Sequence, residues 1–412
     1  MKVLFVNTLY EPNVRGGAEI AVQNLAEALA ASGNDVVVAT TVGDKRGSVR
    51  TIRGVKVVYL PIANLHWPYD RVRRSSARRK LWHLADIYNR TMKARLRRLT
   101  REERPDVIHT SNLQGFSVSA WRAAREEKIP VVHTLQDYYL TCGRCTRYHN
   151  GRTCVRTCFE CLPLLFARRR ASICVSGVVG ISNYVLQHHL RHGFFPAASF
   201  SDVISHDSAV AAPPRVRPGG APLTFGYFGR LVPEKGVARL IDGFAGRTDT
   251  GWSLLIAGEG EERYTRELRR KHAHAQRADA IRFLGWMRAD EFFSEIDILI
   301  LPSLWQEPLA RVVGEANSRG IPVIGSARGG IPEAVEDGVT GWLFDPDAPG
   351  ALGSVVDRLL EDTPLAGRIG ANAERRARGH ALDLIVTEYR RAYDAVLDTA
   401  RSRERVRGRS AR

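Results

Sequence analysis

The chain opens on an apolar run, Val3-Leu4-Phe5-Val6. A loop with Gly16-Gly17 then leads into a segment whose apolar residues, Ala18, Ile20, Ala21, Leu25, Ala28 and Leu29, return every three or four positions. A short unbroken run fits a strand buried on both faces, and the longer spacing fits a helix with one side on a core. Gly33 closes that helix, and strands are predicted at 36–39, 55–60, 107–109, 131–134 and 178–182, with a helix around 119–127. Around 209–223 the texture changes to Ala-Ala-Pro-Pro-Arg-Val-Arg-Pro-Gly-Gly-Ala-Pro, the composition of a linker. The pattern then restarts. Strands are predicted at 224–228, 252–257, 281–284, 298–301 and 322–325, and helices at 237–245, 261–274, 289–295 and 311–319. Non-alternating strands interleaved with helices predict parallel sheets covered on both faces. The expectation is an α/β chain of two doubly wound, Rossmann-like halves facing across a ligand cleft.

The expected domains are 1–208, with a cysteine-rich insertion at 142–161; a linker at 209–222; and a second domain at 223–381. A helix over 382–400, with Leu384, Ile385, Tyr389, Ala392 and Val396 on one side, is expected to pack back on the first domain. The tail 401–412, with six Arg and one Glu, reads as disordered.

Composition narrows the class. Of 412 residues, 44% are hydrophobic and 25% charged, which excludes a disordered or collagen-like chain. The first apolar run is shorter than a secretory signal requires, and other apolar stretches fall short of the ~20 residues that span a bilayer. A soluble, cytoplasmic chain is expected. The 61 basic residues against 44 acidic ones, net +17, point to an anionic partner: nucleic acid, a phosphorylated metabolite or an acidic membrane surface. The stretch 71–104 holds 13 basic residues against Asp86, Glu102 and Glu103, with Leu81, Leu84, Tyr88, Met92, Leu96 and Leu99 at helical spacing. This predicts a basic amphipathic helix whose apolar stripe faces either the sheet or an anionic membrane at its inner face. A second basic-apolar patch is Leu164-Leu165-Phe166-Ala167-Arg168-Arg169-Arg170. Nucleic acid is disfavoured, because no base-reading motif appears and aromatics are not interleaved with the basic run.

Five of the six cysteines fall between positions 142 and 161. Cys142-x2-Cys145-x12-Cys158-x2-Cys161 has the spacing of a four-thiolate structural zinc site, with Cys154 and His149 as spare ligands. Free thiols or a redox role are the alternatives.

The second half carries the candidate chemistry. Phe228-Gly229-Arg230 ends a strand, and Lys235-Gly236 follows at a helix start; two fixed cations beside free backbone N–H groups suit a diphosphate. Pro302-Ser303 leaves a strand, and Glu307 precedes Glu315 by eight residues, a little over two helical turns. Carboxylates so placed can accept hydrogen bonds from the vicinal hydroxyls of a sugar or ribose. Gly329-Gly330-Ile331-Pro332-Glu333 forms a turn that can bring backbone close to a ligand.

Together these stretches resemble the retaining glycosyltransferases of family 4, which have the GT-B fold. The resemblance rests on Gly229-Arg230-Leu231-Val232-Pro233-Glu234-Lys235-Gly236, Ala257-Gly258-Glu259-Gly260, Phe283-Leu284-Gly285-Trp286 and, most strongly, Pro302-Ser303-Leu304-Trp305-Gln306-Glu307-Pro308 through Val313-Gly314-Glu315-Ala316. In the first half it rests on Gly16-Gly17-Ala18-Glu19 and the strand order. It implies sugar transfer from a nucleoside diphosphate sugar to a hydroxyl acceptor (a glycan, a lipid-linked saccharide or a small molecule), with no cofactor for the catalysis. Arg230 and Lys235 would bind the diphosphate and stabilise the leaving group, Glu315 would hold the ribose, and Glu307 would hold sugar hydroxyls. Backbone N–H groups of Leu309, Ala310 and Arg311 would face the sugar, those near Trp286 the base, and Gly16 and Gly17 would approach the diphosphate. The chain departs from the family at His133-Thr134-Leu135-Gln136-Asp137, where Gln136 stands at the family's histidine position. Gln can hydrogen-bond a sugar hydroxyl but carries no proton, so a nucleotide-sugar-binding relative without turnover is the alternative.

Overall fold

The computed structural model describes residues 1–70, 75–206, 221–379 and 381–410. In chain order its strands are β1 (Lys2–Val6), β2 (Asp35–Val42), β3 (Ser48–Ile52), β4 (Val55–Pro61), β5 (Val107–Thr110), β6 (Val131–Leu135), β7 (Tyr148–His149) and β8 (Arg152–Thr153). Then come β9 (Gly177–Gly180), β10 (Phe200–Val203), β11 (Leu223–Phe228), β12 (Trp252–Ala257), β13 (Ile281–Gly285), β14 (Ile298–Leu301), β15 (Val323–Ser326) and β16 (Gly341–Phe344). The chain forms two compact units: Met1–Arg147, Val155–His206 and the chain from Leu382; and Tyr148–Cys154 with the described chain up to Ala381. The short antiparallel pair β7–β8, from within the cysteine-rich insertion, therefore belongs to the second unit. Of the linker expected at 209–222, only Ala221 and Pro222 lie inside the described residues.

The sheet of the first unit runs β10-β9-β6-β5-β1-β2-β4-β3, parallel except for β3, which pairs antiparallel with β4. That edge corrects the all-parallel expectation: Ser48-Val49-Arg50-Thr51 is exposed on both faces and carries no buried run for a pattern search to find. The sheet of the second unit runs β13-β12-β11-β14-β15-β16, every pair parallel. Counted from the first strand of each unit, both parallel orders reverse once. The reversal lies between β1 and β5 in one unit and between β11 and β14 in the other. Loops after the C-terminal ends of those strands are where doubly wound sheets bind ligands, because neighbouring connections there depart to opposite faces.

Valine-rich strands such as β2 and β4 are buried because helices cover both faces, and helix Gly17–Ala31 puts Val22, Leu25, Ala26 and Leu29 into the core. The C-terminal helix Leu382–Ser410 belongs to the first unit and buries Ile385, Tyr389, Tyr393 and Val396 against its sheet. Its tyrosines also satisfy the core's polar groups. Tyr393 Oη meets His109 Nδ1 at 2.6 Å, while Tyr389 Oη meets Thr134 Oγ1 at 3.0 Å and His206 Nε2 at 2.6 Å. The helix continues through residues expected to be disordered, since an arginine-rich run extends a helix already nucleated by packing.

The basic stretch 71–104 is not one helix. Residues 71–74 lie outside the described residues, and two helices follow, Ser76–Ala85 and Arg90–Glu103. The break falls at Asp86, whose buried carboxylate accepts from Gly115 N and Tyr139 Oη, and at Asn89, which caps the second helix through Met92 N. The second helix buries Met92, Leu96 and Leu99, so its stripe packs on the unit, while Leu81 and Leu84 of the first helix remain exposed. In the patch 164–170, Leu164, Leu165 and Arg168 are buried and Phe166, Arg169 and Arg170 are exposed. Arg168 stacks on the Tyr139 ring at 3.7 Å, donates to Tyr139 O and lies 4.0 Å from Asp86.

Burial holds several histidines of this unit neutral: His133 is pushed down to about 3, His189 to about 4 and His83 to about 4. A depressed histidine contributes stability above its unfolded value near 6.5, and that contribution is lost as pH falls towards the folded value. Burial pushes Asp137 up to about 6 and Asp86 up to about 7, and both act in the opposite sense over the same window. Three rings each costing about 2 kcal/mol at pH 5, with His109 and His188 lowered by burial as well, outweigh the two carboxyls and predict a lower melting temperature at pH 5 than at pH 7. Calorimetry at the two values checks this; an unchanged or higher melting temperature at pH 5 would contradict it. Arg168→Ala leaves Asp86 buried without its cation and is expected to cost about 3 kcal/mol in denaturant unfolding.

Candidate active site

The reversal of strand order in the second unit brings together the loops 229–236 after β11 and 302–309 after β14. Backbone packing fixes their spacing. Gly236 has φ +74°, and a Cβ there would lie 1.8 Å from Pro302 O; Leu304 N donates to Glu234 O at 2.9 Å. The loop after β15 joins through Gly329, φ +59°, where a Cβ would stand 2.1 Å from Glu307 O, and Gly330 N donates to that same oxygen at 2.7 Å. Thr153 of the β7–β8 pair donates to Leu304 O at 3.1 Å, so this piece of the insertion braces the 302–309 loop.

Glu307 is the centre of this arrangement and is only 5% exposed. Lys235 Nζ donates to both carboxylate oxygens at 2.8 Å, and Ser303 Oγ and Trp305 Nε1 each donate to Oε2 at 2.9 Å. Oε2 therefore takes three donors and Oε1 takes the lysine alone, which leaves Oε1 the better acceptor for a further hydroxyl. Lys235 also sits 5.6 Å from the centre of the Trp305 ring. Arg230 leaves the same loop in an exposed position and, among the described residues, has no ion-pair partner.

Glu315 lies on the short helix Val312–Asn317, buried and ion-paired with Arg311, while Arg319 Nη1 donates to its backbone oxygen at 2.7 Å. Burial raises the Glu315 carboxyl above the usual range, and the charges of Arg311 and Arg319 oppose that. Backbone N–H groups of Leu309, Ala310 and Arg311, in the loop entering this helix, donate to no backbone oxygen among the described residues. Trp286 follows β13 and is 69% exposed. The structure thus joins Lys235 and Glu307 directly, with Arg230 on the lysine's loop; Glu315 forms a neighbouring ion-paired cluster.

In the first unit Gly16 precedes helix Gly17–Ala31, and no side chain caps that helix. The N–H groups of Gly17 and Ala18 at its start suit an anion. Gln136 follows β6 and lines a small recess with Ser111, Asn112 and Asp137. Neither Gln136 Oε1 nor Nε2 has a hydrogen-bond partner, and Ser111 Oγ has none either. Orphaned donors and acceptors around one recess are expensive unless a ligand or water completes them. His133 is a core histidine: it meets Thr110 Oγ1 at 2.9 Å and packs edge-on to Trp121.

The four-thiolate set of Cys142, Cys145, Cys158 and Cys161 is not assembled: among the described residues no group of three or more His, Cys, Asp or Glu side chains is arranged to hold a metal ion. A Cys161 hydrogen bond and backbone N–H groups of Arg144, Thr146 and Arg147 bring the Cys142 thiol down to about 5 against its burial. Cys161 is hydrogen-bonded in turn to Cys158, and both are free thiols. Burial and the Asp137 and Cys142 charges raise the Cys145 thiol. Cys174 is a buried core residue.

Roles for Ser303, Trp305, Gln306 (whose Oε1 accepts from Gly329 N at 2.6 Å) and Ser111 were not anticipated. The signal for the first three was in the sequence: several hydrogen-bonding side chains crowd the residues between a strand end and an acid that becomes buried.

Residues 214–376 match the family model described as glycosyl transferases group 1, and residues 16–199 match that of a glycosyl transferase 4-like domain. A Klebsiella pneumoniae protein, an uncharacterized 42.6 kDa protein in cps region, is 32% identical over 81% of this chain and 87% of its own length. Glycogen synthase of Mycobacterium tuberculosis is 29% identical over 92% of this chain and 89% of its own. Among solved structures, Anabaena HepE in complex with UDP and glucose superposes with a TM-score of 0.73 at 20% identity, covering 96% of this chain and all (100%) of that one. Sucrose-phosphate synthase from Thermosynechococcus elongatus gives 0.73 at 20% identity over 97% and 99% of the two chains. The chain belongs to the family-4 glycosyltransferases and has the GT-B fold. It is a glycosyltransferase. No helix among the described residues is long and apolar enough to cross a membrane.

Gly236→Ala forces a Cβ into the Pro302 carbonyl at a left-handed backbone position. It is expected to cost at least about 2 kcal/mol in urea unfolding. A variant as stable as the parent would show that the loops 229–236 and 302–309 are not held in this register.

Proposed function

We propose that the chain transfers a sugar from a nucleoside diphosphate sugar to a hydroxyl of a saccharide acceptor, with retention at the anomeric carbon. The observation that carries the reading is the pairing of Lys235 with buried Glu307 where the second unit's strand order reverses, beside exposed Arg230. A diphosphate on this loop exchanges the lysine's partner. Lys235 and Arg230 then face phosphate oxygens, and Glu307 Oε1 accepts a hydroxyl of the sugar. Glu315 accepts the ribose hydroxyls once Arg311 turns away, N–H groups of Leu309, Ala310 and Arg311 face the sugar, and backbone near Trp286 meets the base. As the bond from the anomeric carbon to the phosphate oxygen breaks, negative charge grows on the diphosphate. Cations already fixed there stabilise it more than they stabilise the ground state, and this electrostatic term lowers the barrier. The departing phosphate oxygen accepts the acceptor's proton, and the acceptor attacks on the face the phosphate leaves, which retains configuration. Gln136 in the first unit, with its amide oxygen and nitrogen both unpartnered, can hydrogen-bond a hydroxyl without exchanging a proton.

HepE was crystallised with UDP-glucose, and a Corynebacterium glutamicum relative is a GDP-mannose-dependent alpha-mannosyltransferase; both support a nucleotide-sugar donor here. The glycogen synthase relative supports a saccharide acceptor.

The test is a panel of nucleotide sugars read by melting temperature, then by release of the nucleoside diphosphate. The true donor raises the melting temperature because it binds only the folded state. Arg230→Ala, at an exposed position, is expected to lower kcat by about 10²–10³-fold with an unchanged melting temperature. Glu315→Ala is expected to raise the donor KM more than it lowers kcat. Donor binding without release of nucleoside diphosphate would favour a binding protein, and full activity in Arg230→Ala would overturn the assignment.

A further inference from the structure

Residues 148–154 are the piece of the cysteine-rich insertion that folds into the second unit: the chain leaves the first unit after Arg147 and re-enters it at Val155. The excursion is a hairpin in which Tyr148 pairs with Thr153 and His149 with Arg152. Its turn residues, Asn150 and Gly151, have φ +51° and +74°, the left-handed pair that a tight two-residue hairpin requires. Tyr148 is buried. Burial, joined by the charge of Glu234 in the 229–236 loop, raises its phenol, so the first strand of the hairpin lies by that loop. The second strand ends on Thr153, whose Oγ1 donates to Leu304 O in the 302–309 loop at 3.1 Å. One hairpin therefore reaches both loops that carry Lys235 and Glu307.

Leu304 is the point at which such a contact has most leverage. It stands between Ser303 and Trp305, the two side chains that donate to Glu307 Oε2. Its N–H is fixed on Glu234 O, and its Cγ lies 3.3 Å from where a Cβ of Gly236 would stand. Its carbonyl receives no backbone N–H among the described residues, so the Thr153 hydroxyl orients that peptide. A turn of the Leu304 peptide would swing both neighbours, and with them the carboxylate that Lys235 holds. We propose that Thr153 is a positioning residue for sugar transfer: through Leu304 O it sets the 302–309 loop so that Glu307 and Lys235 keep the geometry the donor needs. The role rests on the proposed reaction, whereas the brace itself exists without a donor, so the two are measured apart. A misplacement of about 1 Å at a reacting centre can cost about 10²-fold in rate, and the loss of one bracing hydrogen bond is expected to cost less.

Hydrogen exchange on the donor-free full chain reads the brace. Amides of 302–309 are expected to exchange at least about tenfold faster in Thr153→Val than in the parent, and at the parent's rate in Thr153→Ser, which keeps the hydroxyl. Gly151→Val strains the hairpin turn at a site where a Cβ meets nothing within 4 Å, and is expected to loosen the same amides. With the nucleotide sugar that the donor panel selects, Thr153→Val is expected to lower kcat about tenfold and to change the donor KM less than about threefold. Its nucleoside diphosphate still binds one per chain, whereas a merely structural role would lower that stoichiometry along with kcat. Thr153→Ser restores kcat. Unchanged exchange in Thr153→Val, full kcat beside loosened amides, or Thr153→Ser as slow as Thr153→Val overturns the proposal. Failure of the reaction itself is distinguishable: a parent that releases nucleoside diphosphate from no nucleotide sugar ends the sugar-transfer reading and this role with it, even where Thr153→Val loosens the loop.

Discussion

A buried carboxylate must be surrounded by donors, and Glu307 imposes that requirement on the second unit. Its charge is held by Lys235, Ser303 and Trp305, and its backbone oxygen takes Gly330 N. Three connections, after β11, β14 and β15, therefore converge on one residue. Removing the carboxylate would leave several donors facing each other without an acceptor, a larger loss than any single hydrogen bond. The parallel sheet below supplies the separation of the loops, and Gly236 and Gly329 allow the backbones to meet at distances a side chain would block. The same arrangement that stabilises the loops holds a cation and an acceptor beside one another, the pair that the proposed donor would separate.

The first unit solves a different problem. Its C-terminal helix returns after the whole second unit has been formed by the chain and seals the core with Tyr389 and Tyr393, which satisfy His109, Thr134 and His206. Apolar burial alone would leave those polar groups unpaired at a cost of roughly 1–3 kcal/mol each. The recess at Gln136 lies beside this sealed core and keeps its amide unpartnered, as a group awaiting a ligand does.

The sequence made the sheets legible where strands are buried on both faces, as at Val36-Val37-Val38 or Ile298-Leu299-Ile300-Leu301, since an unbroken apolar run has few other uses. It concealed β3, whose residues are exposed, and the break at Asp86–Asn89, because helical spacing of leucines continues across it. Lys235 and Glu307 were legible as motif positions, and their direct pairing was not, since it arises from strand order rather than from spacing along the chain. Cysteine spacing suggested four equivalent ligands. Their surroundings differ, burial raising the Cys145 thiol while hydrogen bonds lower that of Cys142, a distinction that counting intervening residues cannot make.

The central claim is that a nucleotide sugar binds by taking Lys235 from Glu307. A crystal structure of the donor complex tests it most directly. The account predicts phosphate oxygens within hydrogen-bond distance of Lys235 Nζ and the Arg230 guanidinium, with Glu307 Oε1 accepting a sugar hydroxyl. A donor bound elsewhere, with the Lys235–Glu307 pair intact at its present distance of 2.8 Å, would contradict it.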